Sequence, residues 1–121
     1  VYRSVKSKGV NNAYDTMYIN ISGFSSFRFY IRSYAESSYD YVMVSQLDTD
    51  ITGSTSYSNS SLVKAHTRAA PNSGTSISAY TLVEFTNIDG GEHRITVVYR
   101  KDSSSHSGDD RGYVLIPKNQ E

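Results

Sequence analysis

Apolar and polar residues alternate with a period of two in several short stretches of this chain, and no helix-length amphipathic segment appears between them. In His93–Arg100, Ile95, Val97 and Tyr99 fall on one side, with Arg94, Thr96, Val98 and Arg100 on the other. Residues 24–34 behave alike: Phe27, Phe29 and Ile31 alternate with Arg28, Tyr30 and Arg32. Tyr14–Ile21 and residues 39–47 read as further strands. A short polar turn separates 24–34 from 39–47, so these two are expected to pair as a hairpin. Residues 62–68 suit a strand or a single helical turn. Residues 76–85 read as a strand that runs into the Asp89-Gly90-Gly91 turn. Residues 112–116 close the series, stopped by Pro117, which has no N–H for a ladder. The segments between are polar. Residues 48–61 are rich in Ser, Thr and Asn and nearly free of apolar side chains, which suits a surface excursion. Residues 101–111 are charge, Ser, His and Gly and are expected in water.

Seven or eight strands at this spacing predict an all-β protein, an antiparallel two-sheet sandwich forming one module over residues 1–121. Phe27, Phe29, Ile31, Val83, Phe85, Ile95, Val97 and Tyr99 are its expected core. Twelve basic and twelve acidic residues cancel, which removes the positive field that nucleic acid or an anionic membrane requires. No apolar run is long enough to insert across a bilayer. Cysteine is absent, so disulfides, thiolate metal sites and Cys nucleophiles are excluded together. The chain starts at Val1 with linker-like ends, from which we expect a module excised from a longer polypeptide, with that polypeptide's other domains as neighbours.

Two stretches carry a resemblance. The first is Ser33-Tyr34-Ala35-Glu36-Ser37-Ser38-Tyr39-Asp40-Tyr41, followed by Val44 and Leu47-Asp48. The second is Gly91-Glu92-His93 with Ile95, Val97, Tyr99, Lys101-Asp102 and Ser104, then Gly108-Asp109-Asp110 and Gly112. Together they resemble extracellular jelly-roll modules of the galactose-binding-like, MAM-like and surface-anchor types. They are most similar to modules of gut Bacteroidales surface proteins and of phages of those bacteria. The likeness spans residues 24–48 and 83–117. Where such families carry Trp in the back strand, this chain has Tyr99. The resemblance implies a jelly roll located extracellularly, at a cell surface or in a virion.

Candidate chemistry is sparse. No G-x-S-x-G elbow, H-x-x-x-H pair or Gly-rich phosphate loop occurs, so no enzyme activity is expected. His93 reads as a strand-edge residue. The expected role is a non-catalytic binding module for a glycan or cell-surface receptor, with a purely structural spacer or decoration domain as the alternative. Eleven Tyr without any Trp supply aromatic faces for such a surface. The expected ligand residues are Tyr57 and Tyr80 for stacking, with Asn59, Lys64 and His66 meeting hydroxyls. In jelly rolls of the kind resembled, the loop before the last strand packs beside the early turn. Glu36 would then pair with Lys101 or Arg111, while Asp102 accepts backbone N–H groups. The alternative is a structural calcium ion on carboxylates drawn from Glu36, Asp40, Asp109 and Asp110, since calcium takes oxygen ligands from such loops. No other cofactor is expected.

Overall fold

The computed structural model describes residues 2–3, 14–34, 41–52, 58–67, 80–100 and 111–120. Within them lie eight strands: β1 (Tyr2–Arg3), β2 (Tyr14–Ile21), β3 (Phe27–Tyr34), β4 (Tyr41–Ser45), β5 (Val63–Thr67), β6 (Thr81–Phe85), β7 (His93–Arg100) and β8 (Arg111–Leu115). They form two antiparallel sheets, β1-β8-β3-β6 and β2-β7-β4-β5. The two-residue β1 is the outermost strand of the first sheet. The pairings are nested: β4 with β5, β3 with β6, β2 with β7 and β1 with β8.

The sheets pack face to face on an apolar core. β3 gives Phe27, Phe29 and Ile31, β6 gives Val83 and Phe85, and β7 gives Ile95, Val97 and Tyr99. Those eight are the residues that alternation selects. Ile19 and Ile21 of β2, Val42 and Val44 of β4, Val114 of β8 and Ile88 complete the cluster. Of the region 62–68, Val63–Thr67 form strand β5.

The expected hairpin between 24–34 and 39–47 does not form. β3 lies in the first sheet and β4 in the second. The reason is that both strands carry a strong apolar face. Phe29 and Ile31 meet Val42 and Val44 across the sandwich, where each face removes the other from water. The true hairpin is β4–β5, with its register shifted between Val44 and Ser45.

The segment 48–61 is also more than a surface excursion. The outward side of the second sheet carries Tyr41, Met43, Val63 and Val98, all buried. Ile51 covers them and is itself fully buried. One apolar residue in a polar segment thus anchors the chain onto an apolar sheet face. Past the bulge, the β4 side still serves β7: Thr96 N donates to Ser45 Oγ at 2.9 Å.

Three substitutions test this packing. Phe29→Ala should cost about 3–5 kcal/mol and Ile51→Ala about 2–5 kcal/mol. Against a total of about 5–15 kcal/mol, either lowers the denaturation midpoint strongly. Gly112→Ala puts a Cβ 2.6 Å from Val42 Cγ2 and 3.1 Å from Tyr99 Cβ. Such overpacking should cost about 1–3 kcal/mol. Urea midpoints measure all three; an unchanged Ile51→Ala midpoint would refute the second cluster.

Candidate functional site

Three connections converge at one end of the sandwich: residues 22–26 between β2 and β3, 86–92 between β6 and β7, and the start of the β4–β5 connection at 46–52. Gly23 N donates to Gly90 O at 3.0 Å, and Ile88 N donates to Ser25 O at 2.9 Å. These bonds stitch the first two connections together. Gly23, Gly90, Asn87 and Asp48 have positive φ. Asn and Asp tolerate that region better than other residues with a side chain.

His93 opens β7 at this end, and both ring nitrogens meet carboxylates. Nδ1 lies 2.5 Å from Asp48 Oδ2, and Nε2 lies 2.7 Å from Asp89 Oδ1. The remaining bonds fix the two acids. Asp48 Oδ1 accepts from Arg94 N at 2.9 Å, and Asp48 N donates to Arg94 O at 2.8 Å. Asp89 Oδ1 also accepts from Gly91 N at 2.8 Å, an Asx turn. A Cβ on Gly91 would stand 3.1 Å from that same oxygen, so the close turn suits glycine. The His93 side chain is 15% exposed, against 53% for Asp48 and 76% for Asp89.

These contacts shift the charges of all three groups. The hydrogen bond to Asp48, then that to Asp89, raises the His93 pKa above its ordinary value, with desolvation opposing. The His93 bond, then the Arg94 N–H, holds the Asp48 carboxyl below the usual range. The His93 bond, then the Gly91 N–H, does the same for Asp89. The ring is therefore favoured as a cation between two anions.

Beside the histidine runs an open groove of about 440 Å³, lined by Asn20, Ser22, Asp48, Glu92, His93 and Arg94. A second hollow of about 230 Å³ lies on the other side of Arg94 and Asp48, bounded by Tyr18, Thr49, Asp50 and Thr96. Arg94 divides them. Its Nε donates to Asn20 Oδ1 at 3.1 Å, and its guanidinium carbon lies 4.9 Å from the centre of the Tyr18 ring. The β2–β7 register sets this up by pairing Asn20 with Arg94 and Tyr18 with Thr96. Tyr18 remains 44% exposed. The surface thus offers an aromatic ring, a cation, carboxylates and an amide within one short stretch. With both nitrogens of His93 engaged, neither is an open proton acceptor. Among the described residues, no group of three His, Cys, Asp or Glu is placed to hold a metal ion.

The residues expected to bind ligand stand elsewhere. Asn59 Oδ1 accepts from Ser61 Oγ at 2.7 Å and Ser61 N at 3.3 Å, while its carbonyl receives Val63 N at 2.8 Å. It shapes the turn into β5. Lys64 Nζ sits 5.3 Å from the centre of the Phe85 ring, bridging the two sheets at the β5 side. His66 lies opposite Met43 on the second sheet and is exposed. Tyr80 precedes β6 on the first sheet, 5.3 Å from the Arg32 guanidinium, which also lies 3.8 Å from Tyr113. His66 thus lies on the second sheet and Tyr80 beside the first, with Lys64 reaching from one to the other. Tyr57, Glu36, Asp40, Lys101, Asp102, Asp109 and Asp110 lie outside the described residues, as does the side chain of Arg111.

Sequence reasoning places His93 at a strand edge but misses its two partners. The Asp89–His93 spacing beside Gly90-Gly91 is the local signal available. Asp48 is 45 residues away and gives none. No known protein family, curated protein or solved structure matches the chain.

The triad predicts a pH dependence of stability. The contribution of His93, whose pKa is raised on folding, is fully present below its unfolded value of 6.5 and fades as pH climbs through the folded one. The contributions of Asp48 and Asp89, whose pKa values are lowered, are present above 3.8 and fade as pH falls through the folded values. Melting temperature should therefore plateau between those limits and decline on the alkaline side. His93→Gln should flatten the alkaline decline, as thermal melts at a series of pH values would read.

Proposed function

We propose that the chain is a non-catalytic binding module of jelly-roll type, extracellular, at a cell surface or in a virion, whose ligand is a glycan or cell-surface receptor. The observation that carries this reading is the divided groove around Arg94. Sugar recognition needs an aromatic face for C–H groups and polar side chains for hydroxyls. Tyr18 offers the first, and Asn20, Glu92 and Arg94 offer the second. These residues are candidates for ligand contact beside Tyr57, Asn59, Lys64, His66 and Tyr80. The nested strand pairing supports the jelly-roll reading, because a long hairpin wound over two sheets gives that order.

One observation favours a structural spacer instead. Arg94 is already held by Asn20 and stacked on Tyr18, and Asp48 and Asp89 are already bonded to His93. A surface whose polar groups satisfy one another has less to offer a ligand.

A glycan array and a whole-cell binding assay separate the two. The binding reading expects recognition of a defined glycan set, weakened at least about tenfold by Arg94→Ala or Tyr18→Ala, a loss worth about 1.4 kcal/mol. Neither residue belongs to the core, so melting temperatures should stay close to that of the parent chain. Absence of binding to both array and cells would favour the spacer. Turnover of a glycan or ester substrate that depends on one Asp or Glu would overturn the non-catalytic reading.

A further inference from the structure

The two contacts of His93 cannot both survive loss of its proton. An ionised carboxylate only accepts hydrogen bonds, so contacts of 2.5 and 2.7 Å on opposite nitrogens require an N–H at each. That species is the imidazolium. A neutral ring has one N–H and one lone pair, and a lone pair facing a carboxylate oxygen at that distance is repelled. We infer that His93 is a protonation-dependent pin between two connections, and that on deprotonation it releases Asp89 while keeping Asp48.

The asymmetry follows from how the acids are held. Asp48 is fixed three further ways: its Oδ1 by Arg94 N, its own N by Arg94 O, and its chain by Ile51, fully buried three residues on. The chain around Asp89 is held on either side, by Ile88 N on Ser25 O and Gly23 N on Gly90 O, but its carboxylate takes the Gly91 N–H on the same oxygen that faces His93, so no second oxygen is anchored as Asp48 Oδ1 is by Arg94 N. Asp89 is also the more exposed acid and sits on a turn ending in two glycines. The proton on Nε2 passes to a solvent water or buffer base. The Nδ1–H stays on Asp48 Oδ2, and the ring remains as the Nδ1–H tautomer.

The charged surroundings are few. The β4–β5 connection brings Asp48 and, further round, Asp50, which feels Arg94. The 86–92 connection brings Asp89 and Glu92. β7 itself adds Arg94, whose positive charge opposes the imidazolium in part. β2 faces the ring with Ile21, and Ser22 and Gly23 follow it, so that side adds no titrating group. Release therefore loosens the Asp89–Gly91 turn, while Ile88 and the 48–52 segment stay seated. It also leaves an open Nε2 lone pair at the wall of the groove. The inference is independent of what the groove binds.

The test needs no ligand. In ¹⁵N-labelled protein, the ring nitrogens of His93 are followed between about pH 5 and 9, with His66 and His106 as the other histidine signals. Amide exchange of Gly91 and Arg94, corrected for the intrinsic effect of pH, is measured over the same range. Both His93 nitrogens should be protonated at the acid end, and only Nε2 should lose its proton. Gly91 protection should fall across that midpoint, while Arg94 stays protected. Asp89→Asn, at an exposed site, should lower the midpoint and uncouple Gly91 from it. Loss of the Nδ1 proton first, Arg94 opening in step with Gly91, or a Gly91 amide indifferent to the titration would each overturn the inference. The parent chain alone decides the matter if the variant does not fold.

Discussion

Strand β7 has to be covered on both faces, and much of the described structure follows from that. Ile95, Val97 and Tyr99 face the other sheet, while Thr96 and Val98 on the opposite side are equally buried. The first face is covered by β3, β6 and β8 across the sandwich. Among the described residues, no sheet lies above the second. Ile51 takes that position, over Val98, Met43 and Tyr41. Burying such a side chain is worth roughly 1.5–3 kcal/mol, enough to hold an otherwise polar segment against the sheet. Once Ile51 is seated, Asp48 is carried to the end of β7, where its backbone and carboxylate bond Arg94 and its second oxygen reaches His93. A hydrophobic requirement at the middle of the strand thus determines an electrostatic arrangement at its end.

The same chain of causes explains how much was legible in the sequence. Period-two alternation identified the inward residues of β3, β6 and β7, because on each of them large apolar residues recur at every second position. It could not tell a hairpin from a crossing between sheets, since both begin with two strands and a short polar turn. β4 illustrates the limit: all five of its residues are buried, so alternation carries no signal about its partner. Ile51 was invisible because one apolar residue among Ser, Thr and Asn has no period. The Asp48–His93 contact was invisible for a stronger reason. It depends on where Ile51 packs, and that depends on the outward face of a sheet formed by strands distant in sequence.

The nested pairing also sets the two ends of β7 apart. Tyr34 pairs with Arg111, and both Tyr14 and Tyr41 pair with Arg100. The strand ends that bound residues 35–40 and 101–110 therefore lie close together, at the far end of β7 from His93. Ile21 pairs with His93, which places the groove at the near end. A site at one end and a site at the other would be joined only through β7 and its neighbours.

That separation bears on the histidine. An imidazolium held by two carboxylates carries a net negative charge of one unit across the three groups, and Arg94 alongside brings the cluster back to neutral. Removing the ring proton leaves that neighbourhood with an unbalanced anion. The Gly90-Gly91 turn is the element able to respond, since Gly90 occupies a positive φ and Gly91 has no side chain to crowd Asp89. β7 cannot respond in the same way, because it is paired on both sides and buried on both faces. Any change of charge at His93 is therefore absorbed locally, at the turn, and the strand that links the two ends of the molecule stays fixed.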